Sequence, residues 1–140
     1  MPGYQRSRVL GTVLLAALLA GGARAADEEA VASRVEYIEL MPSFVLNYGG
    51  PASKLRYLRA DISVRVNDAE ASDAVRNHMP ALRNEIVLLM SQQSVATMND
   101  NTQHEALRLE ALKRLQEVLK KETGRETVVD LFFINFVIQG

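Results

Sequence analysis

The chain contains no cysteine and no tryptophan, only two histidines and four prolines, and its longest apolar run is short. Without cysteine there are no disulfide staples, no thiol nucleophile, no thiolate metal ligand and no cysteine-borne lipid. The two histidines, His78 and His104, stand 26 positions apart with no second ligand at metal spacing. Ser91 and Ser94 lack the glycines of a nucleophile elbow. Gly49-Gly50 runs into Pro51, with no lysine or helix start placed to cradle a phosphate. Carboxylates such as Glu105 and Glu110 read as charges on a helix surface. These absences leave no catalytic, cofactor or metal set, and the chain reads as non-enzymatic.

Basic charge is also scarce where it would matter for nucleic acid. Three of the 16 bases (Arg6, Arg8 and Arg24) precede residue 26, while all 17 acids follow it. The remainder therefore carries 13 bases against 17 acids, a net of −4, which disfavours nucleic acid and anionic membrane surfaces as main partners.

What is present begins with a three-part leader. Arg6 and Arg8 form a basic region, Val9 to Ala20 an apolar run, and Ala23 and Ala25 stand three and one before a cut that would leave Ala26 first. A spanning helix needs roughly 20 apolar residues, so residues 1–25 read as a cleavable signal peptide and the protein as exported to the periplasm. Retention of the segment would instead make it an anchor on the periplasmic side of the inner membrane, the one route to membrane contact. Gly22 occupies the position where a lipoprotein needs cysteine.

Residues 26–36 (ADEEAVASRVE) form an acidic tether, and 37–140 one domain. Between Tyr37 and Asn47, Ile38, Leu40, Phe44 and Leu46 recur with a period of two, the mark of a strand, and Pro42 makes it an edge or bends it. Leu58, Ala60, Ile62, Val64 and Val66 alternate against Tyr57, Arg59, Asp61, Ser63 and Arg65, a second strand antiparallel to the first. Asn67 or Asp68 caps a helix whose stripe is Val75, Met79, Leu82, Ile86, Leu89 and Met90; Pro80 predicts a kink or two abutting helices. A polar stretch follows from Ser91. Thr102 to Glu105 reads as a capping box opening a helix with the stripe Leu107, Ala111, Leu112, Leu115, Val118 and Leu119, and Gly124 ends it. Thr127 to Gln139 is apolar at alternate positions on both faces, with Phe132, Ile134, Phe136 and Ile138 on one and Val129, Leu131, Phe133 and Val137 on the other. That pattern predicts a strand buried on both sides. The order strand-strand-helix-helix-strand is that of an α+β domain with a small antiparallel-rich sheet covered by two to three helices.

Two helices cover one sheet face and leave the other bare. The candidate interface is therefore strand surface: Tyr37, Met41, Phe133 and Val137, with Arg59, Asp61 and Arg83 as its polar rim. Either the Tyr37 strand or the tether folds over the spare face within one chain, or a neighbouring copy covers it, and the second outcome is self-association.

Three stretches, taken together, resemble a known family. Tyr37, Pro42-x-Phe44-Val45-x-Asn47 and Arg56-Tyr57-Leu58 are similar to the start of the periplasmic domain of the FliL family of flagellar basal-body-associated proteins. Leu82-Arg83, Ile86 and Leu89-Met90-Ser91 are similar to its helical core, and Val129 to Gln139, closing on Phe-Val-Ile-Gln, to its final strand. The resemblance implies a stomatin-like domain that assembles into rings beside the flagellar stator units and modulates motility. Two departures stand out: a short leader and tether replace the family's transmembrane helix and longer linker, and Asn99 to Thr102 lacks a glycine common there. The alternative is a soluble periplasmic adaptor or small-ligand-binding module on the same fold, unrelated to motility.

Overall fold

The structure, a computed structural model, describes residues 34–51 and 54–140. The expected leader and most of the tether lie outside the described residues. Four strands and four helices follow in the order β1 (Glu36–Glu39), β2 (Phe44–Asn47), β3 (Tyr57–Val66), α1 (Ala69–Asn77), α2 (Met79–Ser91), α3 (Val95–Asn99), α4 (Asn101–Thr123) and β4 (Asp130–Gln139). All pairings are antiparallel, giving the expected α+β domain: an open sheet with helices on one face.

β3 organises the sheet. Leu58, Ala60, Ile62, Val64 and Val66, which alternate along it, are all fully buried. β1 and β2 lie end to end along one edge of β3, and β4 pairs along the whole of the other. The Tyr37–Asn47 segment is thus one extended path broken at Met41-Pro42, since proline offers no N–H to the ladder.

The helix layer is built by local signals. Asp68 caps α1, accepting the Ala71 N–H at 2.7 Å, so of the two candidates the cap is Asp68 rather than Asn67. Pro80 stands in the first turn of α2, where its missing N–H costs nothing, and it separates α1 from α2 at His78. The polar stretch after Ser91 holds the short helix α3, capped by Ser94, which plants Met98 fully in the core. Asp100, not Thr102, caps α4 by accepting the Thr102 N–H at 2.9 Å. Gly124 ends α4 at φ +83°, its N–H reaching the Lys120 carbonyl at 2.8 Å. Leu107, Ala111, Leu115 and Leu119 of α4 meet Leu82, Ile86 and Met90 of α2 over the sheet.

β4 departs from expectation in two ways. It is an edge strand rather than a central one, because β3 pairs with it on one side and nothing among the described residues pairs on the other. Its alternation is also broken. Asp61 faces Asn135 and Ile62 faces Phe133, so Ile134 is an extra residue in a bulge. The bulge turns Leu131, Phe133, Phe136 and Ile138 to the helix side and leaves Phe132, Asn135, Val137 and Gln139 on the open side. A strict period of two cannot reveal such an insertion.

Candidate interaction surface

The open sheet face carries the candidate residues. Reading across the strands, Tyr37 lies opposite Arg65 on β3, which faces Asp130; Val45 lies opposite Arg59, which faces Val137; and Asn47 lies opposite Tyr57, which faces Gln139. Tyr37 is 63% exposed, Val45 68% and Val137 46%. Met41, in the break between β1 and β2, is similarly exposed. Tyr37 and Phe132 approach across β3 with ring centroids 6.0 Å apart. Asp61 accepts a hydrogen bond from Asn135 at 2.7 Å, bracing β3 to β4 on this face. At one end, Val45, Tyr57, Arg59, Val137 and Gln139 line a shallow hollow of about 440 Å³. Its lining mixes apolar side chains with the Arg59 guanidinium and the Gln139 amide.

Phe133 and Arg83, also sequence candidates, sit away from this face. Phe133 is turned by the bulge to the helix side, half-buried, with its ring centroid 5.2 Å from that of Phe136. Arg83 is engaged within its own chain. Its guanidinium donates to the carbonyls of Leu40 and Pro42 and lies over the Phe44 ring. It therefore pins the β1–β2 break to α2. Tyr57 and Phe132 join the surface although neither is a sequence candidate: Tyr57 shares its side of β3 with Arg59 and Asp61, and an unbroken alternation puts Phe132 with the opposite set.

The β4 edge has its own chemistry. The Leu131 N–H donates to Asp130 at 2.8 Å and the Leu131 carbonyl accepts from Arg108 at 2.9 Å. Arg108 also pairs with Asp130 and Glu105, both at 2.6 Å. The Leu131 N–H, aided by Arg108, holds the Asp130 carboxyl below its usual range. Glu105 and then Asp130 raise the Arg108 guanidinium above its own. One end of the edge is thereby closed by side chains. Among the described residues no group of three or more His, Cys, Asp and Glu gathers as for a metal ion, and no helix is long and apolar enough to cross a membrane.

Fold and surface together define a small α+β domain that presents a strand face and a strand edge rather than an enclosed cleft. The chain belongs to the FliL family: the family model described as flagellar basal body-associated protein FliL matches residues 37–139. It is also 28% identical, over 101 residues, to the flagellar protein FliL of Aquifex aeolicus (strain VF5). That match covers 72% of this chain and 60% of the relative, so the chain spans less than two thirds of that relative's length. The resemblance carried by Pro42-x-Phe44-Val45, Leu82-Arg83 and the Phe-Val-Ile-Gln ending is borne out as family membership.

Proposed function

We propose that this protein is a non-enzymatic, exported component of the flagellar basal body that self-assembles and modulates the stator units, and thereby motility. The open sheet face is its contact surface, with Tyr37, Met41, Val45 and Val137 as apolar anchors and Arg59 and Asp61 as polar rim. The observation that carries the reading is the open face, which nothing among the described residues covers. Sheets of this kind bury one side and keep the other polar when it is only solvated; here Tyr37, Val45, Tyr57, Phe132 and Val137 stand on the solvent side. Family membership supports the flagellar setting, and the Arg6-to-Ala25 leader supports export.

Deletion of the gene, with swimming in soft agar scored beside growth and flagellation, tests it. The expected result is impaired spreading by cells that grow normally and still carry filaments. Unchanged spreading would contradict it.

A further inference from the structure

Charge is unevenly spread along the open face. Between Leu40 and Ala60 the chain carries Lys54, Arg56 and Arg59 and no acid. Arg56 lays its side chain against Gly49 and Gly140, while Lys54 is exposed in the loop leading to Tyr57. Arg59 stands exposed in the hollow, between Val45 on one side and Val137 on the other. Among the described residues neither Lys54 nor Arg59 has an ion-pair partner. Asp61, next along that side of β3, is engaged by Asn135. The opposite end of the face sets Glu39 and Asp130 around Arg65, the one base on its strands.

The chain's own acidic segment has the complementary chemistry. Residues 26–33 (ADEEAVAS) hold three carboxylates among small aliphatic side chains and no base. A guanidinium set between two valines suits a carboxylate on such a segment, because opposite charges meet while aliphatic groups cover apolar surface. Reach decides whose segment it is. Arg59 lies seven positions along β3 from Val66, which faces Glu36, or about 23 Å at roughly 3.3 Å per residue. β1 is antiparallel to β3, so the chain before Glu36 runs past Val66, away from the hollow. Glu29 and Glu28 precede Arg34 by five and six residues, at most about 22 Å of fully stretched chain. Turning back consumes part of that length. Their own Arg59 is out of reach, and the ground nearer to them carries Glu39 and Asp130.

We infer that the acidic segment Asp27-Glu28-Glu29 of one copy seats in the Arg59 hollow of a second copy. The inference rests on the self-association in the reading above and names its contact. A carboxylate meets Arg59, the neighbouring aliphatic side chains cover Val45 and Val137, and Lys54 adds to the attracting field. Tether and hollow are different surfaces at opposite ends of the sheet. Each copy therefore offers one and takes one, and copies add head to tail. An ion pair on an open hollow is screened by salt, so the assembly weakens as ionic strength rises.

The absence of cysteine makes cross-linking clean. Full chain carrying Glu29→Cys is mixed with full chain carrying Val45→Cys, oxidised mildly, and the products are identified by intact mass. Beside this, the parent, Arg59→Glu, the pair Glu28→Lys, Glu29→Lys, and all three changes in one chain are sedimented at low and high salt, with melting temperatures recorded. The expected results are mixed dimer in excess of either self-dimer, assembly lost in Arg59→Glu and in the lysine pair, and assembly regained when the three are combined. A parent that assembles but is unmoved by either charge reversal, with no mixed dimer, would overturn the tether contact and leave self-association standing. Closure within one chain carrying both cysteines would overturn the assignment to a second copy. A parent that stays monomeric throughout would overturn both the contact and the self-association beneath it.

Discussion

Arg83 lies with its guanidinium carbon 4.1 Å from the centroid of the Phe44 ring. The same guanidinium donates to the Pro42 carbonyl at 2.6 Å and to the Leu40 carbonyl. One side chain of α2 thus holds the point where the first edge of the sheet breaks, and it does so from the helix layer. Arg83→Ala is predicted to cost about 1–3 kcal/mol, from charge-assisted hydrogen bonds and a partly desolvated cation–π contact. Thermal unfolding checks this; a melting temperature unchanged within about a degree would show the contacts to be idle.

Gly49 and Gly50 separate two effects that are usually mixed. Both have positive φ, +86° and +70°, but a Cβ on Gly49 would sit 2.8 Å from Val95 Cγ2 and one on Gly50 would meet nothing within 4 Å among the described residues. Gly50→Ala should cost only the left-handed backbone penalty, about 1–2 kcal/mol. Gly49→Ala should cost more, and adding Val95→Ala should recover part of the excess. Equal losses for the two single variants would contradict the close packing of the β2–β3 loop on α3.

Acid should loosen the domain through Asp68 and Asp130. The Ala71 N–H and then Arg125 hold the Asp68 carboxyl below its ordinary 3.8; the Leu131 N–H and then Arg108 do so for Asp130. A carboxyl depressed in the folded state stabilises above its unfolded value and loses that contribution as pH falls through the folded one. The melting temperature should therefore hold from about pH 5 to 7 and fall below about pH 4. In the double variant Asp68→Asn, Asp130→Asn the acid fall should be shallower. An equal fall would place the acid sensitivity elsewhere.

Export is testable by intact mass. Protein recovered from the periplasmic fraction should begin at Ala26, given Ala23 and Ala25 before the cut. Full-length chain confined to the membrane pellet would instead assign the leader to anchoring.

Much of this architecture was legible before any coordinates. The alternation from Leu58 to Val66, the stripe from Leu107 to Leu119, the separation of helices at Pro80 and the stop at Gly124 each follow from local rules, and each stands in the structure. The failures share a cause. The bulge at Ile134 inserts one residue into a run apolar at every position but Asn135, so no change of polarity marks it, and a strict alternation puts Phe133 on the wrong side. β4 lies at an edge because β3 is flanked on its other side by two short strands, a pairing no single segment encodes. α3 is a five-residue helix in a polar stretch, anchored by Met98 and the Ser94 cap rather than by periodicity. Arg83 stood out as a charged residue beside an apolar stripe, but its partners are carbonyls some 40 positions away, and backbone acceptors leave no trace in side-chain pattern.

The central claim is that the open sheet face is the working surface of this basal-body protein. Tyr37→Glu, Val45→Glu tests it most directly, because each new carboxylate lands opposite an arginine of β3, Arg65 and Arg59, and the fold should tolerate both. Soft-agar spreading of the deletion strain complemented with this variant is the measurement, with protein level and melting temperature matched to the parent. The account predicts a normally folded, normally abundant protein that fails to restore spreading; full restoration would contradict it.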